Sequence, residues 1–177
     1  MEYYVLPENI TSFEQINIPE HITYIDISNH NFTSFVGCPE HIISIDCHNN
    51  RITSFRYLPD NLRYIVCDNN QITSFEYLPR NITHIFCSSN LLTSFKHMPD
   101  SITDIDCFCN QITSFEHISR NVINIDCSDN PITSFRYLPN SLKEIHCQNT
   151  LISNFDYLPG SVTCLVCSGS PCYDDYI

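Results

Sequence analysis

Apolar residues recur along this chain in one fixed order. In residues 59–78, PDNLRYIVCDNNQITSFEYL, the recurring apolar positions are Leu62, Ile65, Cys67, Ile72, Phe75 and Leu78. Arg63, Tyr64, Val66 and Asp68 sit where the other units vary. The Ile65–Cys67 alternation has period two, which predicts a short strand with one face inward. Asn70 follows where the chain must turn. An inward Asn at each turn satisfies backbone groups of neighbouring segments, at roughly 1 kcal/mol net per bond. Pro79 opens the next unit with a fixed φ and no N–H, suiting an extended return path. Twenty residues leave no room for a full helix on that side.

The order repeats with a period of twenty. Phe35, Phe55, Phe75, Phe95, Phe115, Phe135 and Phe155 keep it, as do Cys47, Cys67, Cys87, Cys107, Cys127, Cys147 and Cys167. The prolines Pro39, Pro59, Pro79, Pro99, Pro139 and Pro159 keep it too, with Ser119 filling the gap. Phe13 lies twenty-two residues before Phe35, yet Pro19 lies twenty before Pro39, so two extra residues fall between Phe13 and Pro19. Such a period predicts a solenoid, because one coil cannot bury its apolar face alone and stacked coils can. We expect a single β-rich domain over 1–177: a half repeat at 1–13 starting with a strand at Tyr3–Val5, twenty-residue repeats over 14–167, and a tail at 168–177. About nine short strands should form one parallel sheet, with no long helices. The tail, SGSPCYDDYI, is turn-rich and acidic and suits covering the last coil's edge.

One unit reads P-x-x-I-x-x-I-x-C-x-x-N-x-I-T-S-F-x-x-L, which resembles the leucine-rich repeat L-x-x-L-x-L-x-x-N-x-L, with Ile in most Leu positions and Cys in the third. The length and the Leu-Pro and Asn-x-Ile-Thr-Ser phrasing are similar to the short repeats of YopM-like and IpaH-like bacterial effectors. Phe here replaces their Leu after Thr-Ser, and their following proline is missing. The composition, rich in Ile, Asn, Ser, Phe and Tyr with no Ala or Trp, resembles that of leucine-rich-repeat proteins of giant amoebal viruses. The resemblance implies a bowed solenoid with a concave parallel sheet and an extended or 3₁₀ convex side. The three letters Cys172-Tyr173-Asp174 match the catalytic C-x-D of the IpaH ligases. That cysteine belongs to a large helical domain in the ligases, so no ligase activity is expected here.

The Asn column is uninterrupted at Asn50, Asn70, Asn90, Asn110 and Asn130, and becomes Glu8, His30, Thr150 and Ser170 toward the ends. The seven column cysteines read as reduced, buried thiols behaving as small hydrophobes. In-register parallel side chains point the same way and miss the Cβ approach a disulfide needs. A reduced ladder suits an intracellular, reducing compartment, and the sequons at Asn9, Asn31 and Asn81 are then by-products of repeated Asn and Thr. Cys164 and Cys167 form a C-x-x-C, but residues three apart on a strand face opposite sides and do not share one metal. A Cys167–Cys172 bridge closing the tail is compatible with the spacing. Cys38, Cys109 and Cys172 lie off the ladder.

A net charge of −12 disfavours nucleic acid and anionic membranes, which need clustered Lys and Arg, and favours a protein partner with a basic surface. The start, MEYYVLPENI, has neither a basic nor an apolar leader segment, and no run reaches a membrane span. A soluble, non-secreted protein is expected, monomeric or weakly dimeric through its coil ends.

The variable strand positions should face the concave side. They present an apolar and aromatic patch, Tyr64, Val66, His84, Phe86 and Phe108, flanked by carboxylates at Asp26, Asp46, Asp104, Asp106 and Asp126, with Tyr24 at one end. Aromatics ringed by charge resemble the core and rim of a protein interface. The alternative is that solvent-facing columns drift and some drift apolar. The adjacent pairs Asp106/Asp126 and Asp26/Asp46 have the residue type for shared protons or glycoside hydrolysis, but nothing in the pattern excludes water or positions a substrate. Asp104, Asp106 and Asp126 offer fewer oxygens than Ca²⁺ prefers. No cofactor, metal or catalytic residue is assigned. The expected function is a non-enzymatic interaction scaffold, with a self-associating structural component as the alternative.

Overall fold

The computed structural model describes Tyr4, residues 6–7 and residues 9–175. Eight three-residue strands lie among them: β1 (Tyr24–Asp26), β2 (Ser44–Asp46), β3 (Tyr64–Val66), β4 (His84–Phe86), β5 (Asp104–Asp106), β6 (Asn124–Asp126), β7 (Glu144–His146) and β8 (Cys164–Val166). They form one parallel sheet in sequence order, each strand paired twenty residues on, as in Ile45↔Ile65 and Ile65↔Ile85. The expected ninth strand at Tyr3–Val5 and the Glu8 position fall outside the described residues. A 3₁₀ turn at Phe13–Gln15, capped by Ser12, lies in the stretch that carries the two extra residues.

The inward column explains why the strands are short. Each strand contributes one central side chain to the core, from Ile25 to Ile145, and the chain then bends through Cys into the Asn corner. Cys47, Cys67, Cys87, Cys107, Cys127 and Cys147 are all fully buried, and Cys167 nearly so. Each of the eleven cysteines is a thiol rather than half of a disulfide, Cys167 and Cys172 included. Burial pushes the ladder thiols Cys47, Cys67, Cys87, Cys107 and Cys127 well above their ordinary range, because a thiolate there loses its water.

The Asn side chains tie each coil to the one before. Asn70 donates from Nδ2 to the Cys47 and Cys67 carbonyls, both at 3.0 Å, and accepts at Oδ1 from the Ile52 N–H at 2.9 Å. Asn50, Asn90, Asn110 and Asn130 repeat the pattern. An amide suits this corner because it donates and accepts at once. The corner residue before each Asn takes left-handed φ, from 52° to 54° between Asn49 and Asn149.

The return path combines extended segments with two tight turns per coil, such as Leu58 N–H to Phe55 O at 3.2 Å and Leu62 N–H to Pro59 O at 3.1 Å. Beneath the first turn the phenylalanines stack, Phe75 on Phe95 and Phe95 on Phe115 at 6.1 Å between ring centres. Its third residue is left-handed in every coil from Phe35 onward, as Gly37 in the first of these and then Tyr57, Tyr77, His97, His117, Tyr137 and Tyr157. On Gly37 a Cβ would stand 2.9 Å from Glu14 Cγ, so the glycine answers a close approach as well as a backbone angle. At the far end a 3₁₀ turn at Pro171–Asp175 follows β8, with Cys172 buried and its N–H donated to Ile152 O at 2.9 Å.

Candidate functional site

Side chains flanking each inward Ile point to solvent, so residues twenty apart become neighbours on the outer face of the sheet. Tyr64 on β3 lies 5.8 Å from His84 and 5.3 Å from Phe86, ring centre to ring centre. Val66 is the register partner of Phe86. Phe108, just beyond β5, is 38% exposed. Tyr24 and Asp26 lie on β1, one strand removed from this cluster, while Asp46 on β2 pairs with Asp26 on one side and with Val66 of the cluster on the other. Asp46 is occupied locally, its Oδ1 2.7 Å from His48 Nδ1.

Beside the aromatic cluster lies a shallow depression of about 340 Å³, lined by Phe86, Asp104, Asp106, Asn124, Asp126, Glu144 and His146. Its carboxylates are positioned by neighbours. Asp104 accepts from Asn124 Nδ2 and from Thr103 Oγ1, both at 2.6 Å, and lies 3.5 Å from His84 Nε2. Asp106 accepts from Ser88 Oγ at 2.6 Å and the Phe108 N–H at 3.0 Å, both on Oδ1. Asp126 accepts from the Ser128 N–H at 2.9 Å. These bonds fix where the carboxylates point. Asp68 borders the same surface, and partial burial raises its pKa although it accepts from the Ser88 N–H at 2.7 Å.

The structure therefore gathers Phe86, Asp104, Asp106 and Asp126 around one depression, with Tyr64, Val66, His84 and Phe108 beside it. Glu144 and His146 also line it, and neither is in the partner-binding set expected from the sequence. Their signal was present, since both occupy the variable columns on either side of Ile145. Weighing those columns for aromatic content drew attention to β3–β5 instead.

The coils themselves decide the fold: twenty residues, one short parallel strand, one Asn corner and one extended return per unit. A YopM structure from Yersinia pestis superposes with a TM-score of 0.74 at 25% identity, covering 84% of this chain and 43% of that one. The fold is a leucine-rich repeat. A Shigella effector leucine-rich-repeat domain matches with a TM-score of 0.71 at 20% identity, over 86% of this chain and 71% of that one. The functional domain of InlJ from Listeria monocytogenes, described as including a cysteine ladder, matches at 0.59 and 22%, over 83% and 32%. The chain thus spans less than half of the YopM protein's length. No protein-family model and no curated protein matches the sequence. Within the described residues of this leucine-rich repeat, no helix is long and apolar enough to cross a membrane.

Proposed function

We propose that the chain is a non-enzymatic protein-interaction scaffold that takes a basic segment on the concave face of its sheet. The observation that carries this reading is the acidic depression beside exposed rings. Asp104, Asp106, Asp126 and Glu144 provide carboxylates for Arg or Lys, and Phe86 offers a ring face on which a guanidinium stacks. The net charge of −12 adds long-range attraction for such a partner. The repeat fold itself supports a binding role: FLRT2, whose leucine-rich repeat matches this chain at 21% identity and a TM-score of 0.63, was solved in an octameric complex with latrophilin 3 and Unc5D. The partner here is a protein rather than nucleic acid or membrane, and the setting is a reducing one that keeps the ladder thiols reduced.

Self-association through the coil ends is the second reading, favoured by one observation. Val162, Leu165, Phe155 and Leu158 are only partly buried at the last coil, and β8 pairs only with β7 among the described residues. The two readings separate in one experiment. Purified protein is used to capture partners from cell extract, alongside Phe86→Ser/Phe108→Ser and Asp106→Asn/Asp126→Asn, with light scattering on each. Proteins carrying Arg- or Lys-rich segments should bind the parent and be lost, by on the order of ten-fold or more, from both double variants. Unchanged capture by both variants would sink the concave-face reading. Concentration-dependent oligomers with no captured partner would favour assembly.

A further inference from the structure

We propose that Glu144, His146 and Cys164 form a binding site for a Zn²⁺-class transition metal on the outer face of the β7–β8 pair. Glu144 and Cys164 are register partners across the two strands, and His146 follows Glu144 by two residues, so all three side chains rise from one face. A Glu144 oxygen, a His146 ring nitrogen and Cys164 Sγ lie within 4.8 Å of one another, the one such triplet among the described residues. No short motif announces it, because Cys164 comes from the next coil.

The second observation is how His146 is held. Its Nε2 stands 3.0 Å from Glu144 Oε1, while its Nδ1 stands 3.8 Å from Asp126 Oδ2. A metal on Nε2 leaves Nδ1 on the side of the Asp126 carboxylate, which at 3.8 Å is longer than a hydrogen bond. It would have to close in to give the outer arrangement that orients metal-bound imidazoles and raises their basicity. Binding replaces the thiol proton of Cys164, which leaves to solvent, and takes the imidazole as its neutral Nδ1–H form. Bonds of roughly 2.0–2.3 Å require the three donor atoms to close in by about 1 Å. The side chains are exposed or half-buried and have room to do so. Thiolate with imidazole selects Zn²⁺ or Co²⁺ over Mg²⁺ and Ca²⁺, and three protein ligands leave a fourth position for water.

The test is a Co²⁺ titration of the full, untagged chain, reduced with a phosphine and kept free of oxygen, followed by Zn²⁺ competition. One equivalent should bring up thiolate-to-cobalt charge-transfer absorption and the visible bands of a tetrahedral site. Cys164→Ser should abolish the charge-transfer band, whereas Cys109→Ser, which removes another exposed thiol, should leave it unchanged. Glu144→Gln and His146→Gln should each weaken binding more than ~100-fold. Asp126→Asn should keep the band and weaken binding about 10–100-fold, as expected for an outer partner. Far-ultraviolet circular dichroism of the metal-free variants confirms that each is folded. Absence of a saturable band, or a band that survives Cys164→Ser, would overturn the site. Phe86→Ser/Phe108→Ser should bind cobalt normally, so failure of partner capture and failure of metal binding remain distinguishable.

Discussion

The coils between Asn50 and Asn130 and the coil that ends at Ser170 solve one problem in two ways. In the interior, a single amide bridges two coils, satisfying two Cys carbonyls and one Ile or Leu N–H. At the end, two hydroxyls divide the work. Thr150 Oγ1 and Ser170 Oγ both reach the Cys147 carbonyl, at 3.0 and 2.7 Å, and Ser170 Oγ also accepts the Thr150 N–H. The Ile132 N–H, which a following Asn would have met, turns back onto Asn130 O at 2.8 Å. The surrounding apolar groups differ in step: Phe95 and Phe115 are fully buried, while Phe155 and Leu165 are only partly so. Hydroxyls serve at the last pair of corners, where Thr150 leans on Ser170 and Ser170 has no following coil among the described residues. An amide fills each corner from Asn50 to Asn130.

The strongest way to break that comparison is to remove the bridging group from each region. Asn90→Ala strands the Ile72 N–H in a dry corner and takes one of two amide donors from each of the Cys67 and Cys87 carbonyls, which keep Asn70 and Asn110. It should cost about 2–4 kcal/mol, at roughly 1–3 for the orphaned N–H and less for each shared carbonyl. Thr150→Ala leaves Ser170 Oγ on the Cys147 carbonyl and should cost only about 1–2 kcal/mol. Urea unfolding of both variants measures the gap. Equal losses would mean that the two corners are equivalent and that the end is as tightly held as the middle.

Thiol reactivity sharpens the same contrast without mutation. Cys109 and Cys164 are exposed and should react with an alkylating reagent in the folded protein. The ladder thiols from Cys47 to Cys127 are protected twice, by burial from the reagent and by a pKa pushed upward through loss of hydration. Cys167 is protected by burial, so each should react only when its coil opens. Opening costs least where a coil has one neighbour. Cys167 should therefore be modified before Cys87 in timed mass-spectrometric labelling at increasing urea. Simultaneous modification would indicate that the solenoid opens as one unit.

Much of this was legible before any coordinates. The period-two Ile-x-Cys placed β2 to β7, with Ile25-x-Ile27 and Leu165-x-Cys167 in its place at β1 and β8. The Asn column placed every interior corner, because inward positions in a stacked coil tolerate few residue types. The surface was less legible for the same physical reason: outward positions are weakly constrained, so their columns do not announce which members act together. Asp104, Asp106 and Asp126 were expected as neighbours, but the depression they share with Glu144 and His146 depends on where side chains lean. The left-handed turn residues were missed as well. Tyr57, Tyr77, Tyr137 and Tyr157 occupy a backbone region usually announced by Gly, and only Gly37 in the first coil carried that signal. Arg56 lies over Tyr57 at 5.0 Å and Tyr77 at 5.9 Å, and Arg136 over Tyr137 at 5.1 Å and Tyr157 at 6.0 Å, so each of these four rings has a cation–π partner.

The smallest effect tests whether interior corners are as well fitted as the one near the end. Cys109 holds φ of 54°, a conformation that Asn49, Asn69 and Asn149 adopt at the equivalent position. Asn tolerates this region better than Cys because its short amide bonds locally. It also links coils, since Asn49 Nδ2 donates to Asn29 Oδ1 and Asn149 Nδ2 to Asp129 Oδ1, each at 3.0 Å. Cys109→Asn should therefore stabilise the protein by a few tenths to about 1 kcal/mol, through relief of backbone strain and a new bond. The reverse change, Asn149→Cys, should destabilise it by about the same amount, since it loses the bond to Asp129. Thermal unfolding of the two variants under reducing conditions reads both signs. A lower melting temperature for Cys109→Asn would mean that the interior corner is fitted to its thiol. The corner column would then follow local packing rather than the backbone angle it shares from coil to coil.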